Sequence, residues 1–254
     1  MNAARAIAIA RQDLRVLRTD VLPATVLIAM PFLLMPFLLP AFGEALRVEG
    51  VAGANGAEQA VPGMAVTFGY FLVAIVSFSF FREHGWNTWE RLRASPAGTP
   101  EILLGKTVVP LLQAAAQFVA LFVLGGFLVD LDIRGSWLAL AAVGTSFSLC
   151  LIGTGLVITA LCRTFLQANV IVNVTALVLA GLAGAIVPFG LLPPWAQTLA
   201  PAIPSYWAMQ GYERVILGRG SVLGPVAVLL AFSLLCALAA ALRFRLEETK
   251  VGLV

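Results

Sequence analysis

Apolar stretches at 21–43, 62–81, 106–129, 137–161, 169–188 and 222–242 divide the chain, each set off from the next by a polar or turn-rich segment. All are close to or above the roughly 20 residues with which a helix crosses a hydrocarbon core. None alternates polar with apolar residues as a lumen-lining barrel strand does, and a helix satisfies its backbone groups within its own segment. The pattern predicts an all-α membrane protein with six transmembrane helices, read as one membrane domain over residues 1–254.

The segments between the spans add detail. Ahead of the first span, Ile7, Ala10, Leu14, Leu17 and Val21 recur at helical spacing, with Arg11, Arg15 and Arg18 beside them. This predicts an interfacial amphipathic helix over residues 1–20, its apolar side among lipid headgroups and its arginines on phosphates. The uncharged run from Val21 to Phe42 outlasts the about 7–15 residues of a secretory-signal core, so it reads as an uncleaved first span. Pro23, Pro31, Pro36 and Pro40 predict that this span is bent, because each removes a backbone donor. Gly43–Val61, with Glu44, Glu49 and Glu58, reads as a flexible acidic connection. Residues 188–220, rich in proline and carrying Trp195, Tyr206 and Trp207, predict short re-entrant helices that dip back into the membrane from outside.

Composition supports the membrane reading: 60% of residues are hydrophobic and 11% charged, against about a quarter charged in soluble domains. The mean hydropathy is +0.96. Orientation follows from the sixteen basic residues, since Lys and Arg gather in cytoplasmic loops. With both termini inside, Arg5, Arg11, Arg15, Arg18, Arg82, Arg91, Arg93, Lys106, Arg163, Arg243, Arg245 and Lys250 are cytoplasmic, and Arg47, Arg134, Arg214 and Arg219 are outside. A pI near 9.0 is then explained by topology and lipid headgroups, and no nucleic-acid partner is expected. Two lysines against fourteen arginines, with much Ala and Gly, point to a GC-rich bacterial genome and hence to a bacterial plasma (inner) membrane.

Polar residues inside the spans are few. Gln113 and Gln117 share one face of the third span, and Asn169 and Asn173 one face of the fifth, where Ala176, Ala180 and Gly184 continue it with small residues. Such faces hold helices together, or line a cavity if the contact is also a pathway. Tyr70, Phe71, Phe78 and Phe81 form a stripe on the second span that serves packing, lipid contact or a binding wall. Cys150, Cys162 and Cys236 lack metal-ligand spacing and read as small buried hydrophobes.

The chemistry is sparse. No ionisable residue falls in the interior of the six stretches, which speaks against a proton- or ion-coupled transporter. The single histidine, His84, leaves no intramembrane dyad and no metal motif. Leu103–Thr107, LLGKT, ends like a phosphate-binding loop, but the glycine that pattern needs falls at Pro100. No nucleotide, metal or other cofactor is therefore expected on this chain. In the charged insert Arg82–Lys106, Trp89 and Leu92 lie on one side of a short helix with Glu83, Glu90, Arg91 and Arg93 around it, and Ser95-Pro96 ends it. That is the form of a short amphipathic helix along the membrane that docks a soluble partner, or of a solvated loop whose tryptophans anchor in the membrane.

The run Arg82-Glu83-His84-Gly85, Thr88-Trp89-Glu90-Arg91-Leu92, Ala94-Ser95-Pro96 and Glu101-Ile102-Leu103-Leu104-Gly105-Lys106 resembles a motif of the type-2 ABC exporter permeases, which have an ABCG-like fold. In that family the segment reads approximately RE-x-G-T-x-E-R-L-x-x-S/T-P, then E-x-L-L-G-K. Here Trp86-Asn87 lengthens the gap before Thr88. The stretch Pro188, Pro194-Trp195 and Pro204-Ser205-Tyr206 is similar to the family's later pattern, with Ile203 in place of its Asn.

The resemblance implies a permease that pairs with a second permease chain, identical or related, and binds two copies of a cytoplasmic ATPase carrying ATP and Mg. It implies a coupling segment over 82–100, with Glu83–Ser95 as a coupling helix and Glu83, Trp89, Glu90, Arg91, Arg93 and Ser95 as its ATPase-facing residues. Spans two and five would line the path, with Phe71, Phe78, Asn169 and Asn173 as wall residues. An uncharged path fits export of an amphiphilic or hydrophobic compound such as a drug, antibiotic or lipid. The alternatives are export of a polysaccharide or glycolipid, a membrane-embedded lipid-modifying enzyme, or a channel or scaffold without energy coupling.

Overall fold

The computed structural model describes residues 3–19, 21–48, 50–51 and 53–243. Arg245 and Lys250, counted above among the cytoplasmic bases, and Glu49 of the outer connection lie outside them. The described residues form helices α1 (Ala3–Thr19), α2 (Leu22–Val48), α3 (Ala57–Gly69), α4 (Phe71–Gly85), α5 (Trp89–Ala94), α6 (Thr99–Val119), α7 (Gly125–Leu128), α8 (Trp137–Leu161), α9 (Phe165–Leu182), α10 (Pro194–Leu199), α11 (Pro204–Ile216) and α12 (Leu223–Arg243). A π-helical turn, Ala120–Leu124, joins α6 to α7. Six helical stretches are long and apolar enough to cross a membrane: Ala24–Val48, Ala57–Gly85, Thr99–Leu128, Trp137–Leu161, Phe165–Leu182 and Leu223–Arg243. This is an all-α membrane protein.

The helix ends follow local chemistry. Ser136 Oγ accepts from Leu138 N at the start of α8, and Thr164 Oγ1 accepts from Gln167 N at the start of α9, each satisfying an otherwise orphaned donor. At the start of α6, Gly98 N donates to Glu101 Oε2.

Packing follows the small residues. A Cβ on Gly155 of α8 would come within 2.8 Å of Val76 Cβ on α4, and one on Gly153 within 2.9 Å of Cys236 Cβ on α12. The backbones of three helices therefore meet along α8. In the same way Gly63 of α3 lies against the Ala185 carbonyl, and Gln59 Nε2 donates to Gly184 O at 2.6 Å. Behind these, α11 buries Ala208, Met209, Tyr212, Val215 and Ile216, and Ser205 Oγ donates to Leu179 O at 2.9 Å.

Three sequence expectations are corrected. The connection over Gly43–Val61 is not a loose loop: α2 extends to Val48, α3 begins at Ala57, and Asn55 Nδ2 donates to the carbonyls of Val129 and Asp130. Its glycines act as turn chemistry, for Gly56 has φ +96° and a side chain there would meet Leu39 O at 2.2 Å. The third membrane helix starts at Thr99, so Glu101 and Lys106 lie within it. Finally, no single helix covers Glu83–Ser95. Arg82–Gly85 completes α4, Asn87 takes a left-handed φ of +53°, and α5 has only six residues. Ser95, preceding Pro96, is extended and closes it.

Candidate functional site

The charged insert forms a helical hairpin, and α1 is bound to it. On α1, Ala6, Ile9, Ala10 and Asp13 turn inward, while Ile7, Arg11, Arg15 and Arg18 are exposed. The packed face shares Ala10 with the apolar stripe read from the spacing but is rotated from it toward Asp13, which leaves Ile7 exposed. Gly105 of α6 is the reason the two helices meet closely. A Cβ there would lie 2.7 Å from Ile9 Cβ and 2.8 Å from Ala6 O.

Beside that contact lie four charges. Lys106, only 1% exposed, places Nζ 3.3 Å from Asp13 Oδ1, 3.0 Å from Glu83 Oε1 and 3.3 Å from the Ser79 carbonyl. Arg82 Nη2 donates to the same Asp13 oxygen at 3.2 Å, and Thr88 Oγ1 donates to Glu83 Oε2. Two cations and two anions therefore neutralise one another, Asp13 and Lys106 buried and Arg82 and Glu83 half-buried, joining α1, α4 and α6. Burial holds the Asp13 carboxyl above its ordinary range, outweighing the pull of Lys106 and then Arg82. Arg5 extends the tie, donating to the Pro96 carbonyl and pairing with Glu101 Oε2 at 3.6 Å.

This arrangement separates the predicted ATPase-facing residues into two groups. Glu83 belongs to the ion cluster. Trp89 is 3% exposed, stacked on His84 at 4.6 Å and packed with Phe80 and Ile102, so it clamps α5 to α4 and α6. Ser95 Oγ donates to Leu92 O at 2.7 Å and accepts from Ala97 N. These three face inward. Glu90, Arg91 and Arg93 are exposed, with Glu90 and Arg93 paired at 3.3 Å. Trp86, 57% exposed, stands beside them with the Arg82 guanidinium 5.2 Å from its ring centre.

The four residues proposed as path wall are all exposed. Phe78 meets Phe165 edge-on at 4.6 Å, one turn before Asn169, so α4 and α9 bring Phe78 and the asparagines to one side of the molecule. Phe71 lies two turns along α4 and stacks on Phe68. Asn173 Nδ2 donates to Asn169 Oδ1 at 2.7 Å and to its carbonyl at 2.8 Å. Gln113 and Gln117 instead turn into the bundle. Gln117 lines a cavity of about 20 Å³ with Gly69, Gly144, Phe147, Ser148 and Tyr212, a volume that fits one water. Among the described residues no group of His, Cys, Asp and Glu could hold a metal ion.

Sequence reasoning missed Asp13, Lys106 and Trp86 as site residues. For Asp13 a signal existed: it is the single acid of α1, opposite the arginine face.

Comparison with known proteins fits this architecture. A family model described as ABC-2 type transporter matches residues 5–217. A probable multidrug ABC transporter permease, YbhR of Escherichia coli (strain K12), is 32% identical over 136 residues, which is 54% of this chain and 36% of the relative. The same protein of Escherichia coli O157:H7 matches equally. The matched stretch thus covers little more than a third of those relatives.

Proposed function

The chain belongs to the ABC-2 type transporter family, and from that premise we propose that it is the membrane subunit of an ATP-driven exporter. In this reading both termini are cytoplasmic, the membrane is a bacterial inner membrane, and the hairpin between α4 and α6 is the coupling segment. Two copies of a separate ATPase hold the ATP and Mg. A second permease chain, identical or related, completes the channel. The observation that carries the reading is the hairpin itself: Trp89 fixes α5 from within while Glu90, Arg91 and Arg93 stay exposed on its outer side. A segment so held transmits a push instead of absorbing it.

The substrate proposed is an amphiphilic or hydrophobic compound. Neither α9 nor α4 between Phe71 and Phe81 carries a charged residue, and the matched relative's name describes a multidrug permease. Exposed Phe71 and Phe78, two turns apart, also favour a second reading, a polysaccharide or glycolipid that slides on aromatic surfaces. Competition by free sugar chains in a vesicle export assay separates the two.

The coupling role is tested by charge reversal. Glu90→Arg and Arg91→Glu are expected to lower export about tenfold or more when co-expressed with the ATPase, with unchanged amounts of permease in the membrane. Undiminished export by both variants removes the coupling role.

A further inference from the structure

Resting on the permease reading, we infer that Trp86 is the anchor by which the cytoplasmic ATPase grips this chain. Of the five tryptophans, Trp89 is internal, and Trp207 is half-buried with Nε1 donating to the Pro201 carbonyl. Trp137 and Trp195 are exposed at the opposite end of the bundle, where they suit a membrane interface. Trp86 alone is exposed at the charged end. It sits in the two-residue extension, Trp86-Asn87, whose left-handed Asn87 turns the chain outward between α4 and α5.

Lipid is a poor occupant for this ring. The membrane helix ending in α4 has 29 residues, about 43 Å at 1.5 Å per residue, against about 30 Å of hydrocarbon. The excess lies where the charges are. Lys106 Nζ reaches the Ser79 carbonyl, and Trp86 stands seven residues beyond Ser79, roughly 10 Å farther along the helix direction; with the Lys106 ammonium at the hydrocarbon boundary, that is past most of the headgroup layer. Its neighbours Asn87, Glu90 and Arg91 are exposed and polar.

Its support is rigid. One face of the indole is held by Arg82, and Arg82 donates to Asp13, which also binds Lys106. An apolar anchor with a charged rim is the arrangement that soluble partners bind most tightly. A pocket on the ATPase that accepts the indole edge and presents charges to Glu90 and Arg91 fits this surface. Force applied there passes through Arg82 to α1 and α6 together.

The test uses the full chain. A photoreactive benzoylphenylalanine at position 86 is expected to crosslink in cells to a protein with an ATP-binding cassette, whereas the same probe at position 137 is not. With that ATPase purified and the permease in nanodiscs, Trp86→Ala is expected to weaken binding roughly thirtyfold, and Trp86→Phe less. The melting temperature of both variants should match the parent. Equal binding by the parent and Trp86→Ala overturns the anchor while leaving the ATPase reading intact; failure of the parent to bind any such ATPase removes both. Brominated lipid provides the last arm. If its quenching, taken as the difference between parent and Trp86→Phe without ATPase, reports the ring inside the acyl region, the anchor is a lipid contact and the inference falls.

Discussion

Two polar groups lie in apolar surroundings in this molecule, and they are handled in opposite ways. Asp13, Arg82, Glu83 and Lys106 are enclosed by α1, α4 and α6, with every charge matched at 3.0–3.3 Å. Asn169 and Asn173 bond to each other and stay on an open face of α9. The difference follows from what each group costs to desolvate. An unpaired buried ion costs several kcal/mol, so the charges are useful only when closure is complete. A neutral amide costs far less and is tolerated on an open apolar face once its polar atoms find a partner. The closed group ties α1, α4 and α6 together, and the open pair satisfies itself on the surface of α9.

The strongest way to break this contrast is Lys106→Met. It leaves two buried carboxylates without their shared cation, and a loss of about 3–5 kcal/mol is expected, seen as a large fall in melting temperature in detergent. Adding Asp13→Asn and Glu83→Gln should recover much of it. A single variant as stable as the parent contradicts the closed cluster. Next in size is Asn169→Leu with Asn173→Leu. Here the isolated chain should melt as before, while self-association in lipid weakens by about 1–2 kcal/mol, measured by energy transfer between labelled chains. Equal loss of stability in the monomer erases the distinction between open and closed.

The smallest effect concerns pH. The Asp13 carboxyl titrates above its ordinary value because it is buried, so the folded protein takes up this proton at higher pH than the unfolded chain does. Its own contribution to stability therefore grows as pH falls through that raised range, is complete below the ordinary carboxylate value, and is lost as pH rises again. Asp13→Asn should remove that slope. Denaturation curves of parent and variant between neutrality and pH 4 test it, and parallel curves count against a raised Asp13.

How much of this could be read from the chain depends on the region. The apolar stretch 137–161 coincides with α8, because charge resumes just beyond each end of the helix, at Arg134 and Arg163. The second and third spans were cut short, since hydropathy falls where charges begin while the helical backbone runs on through Arg82–Gly85 and from Thr99. Charges that pair inside a protein look in sequence like charges that face water. Trp89 and Trp86 show the same limit: both are aromatic residues in one polar insert, yet one is core and the other surface. Their separation required knowing that the chain turns at Asn87. Nor does composition tell which face of a membrane helix meets protein, because lipid is as apolar as the bundle. The apolar windows of the second and fifth spans have hydropathies of 2.0 and 1.8, yet 72% and 17% of their residues are buried.

The family-like motif is explained residue by residue once packing is known. In Glu101–Lys106, the glutamate starts α6 and pairs with Arg5, the glycine admits α1, and the lysine closes the ion cluster. These residues hold the hairpin in shape. The exposed side of the hairpin is carried by their neighbours Trp86, Glu90, Arg91 and Arg93.

The length of α9 has a separate consequence. Its 18 residues span about 27 Å, a few ångströms less than an average hydrocarbon core, while the neighbouring membrane stretch Ala57–Gly85 has 29 residues. A bilayer meeting this face has to compress or be displaced there. Lipid that touches α9 is thus drawn into a local dip on this side of the protein.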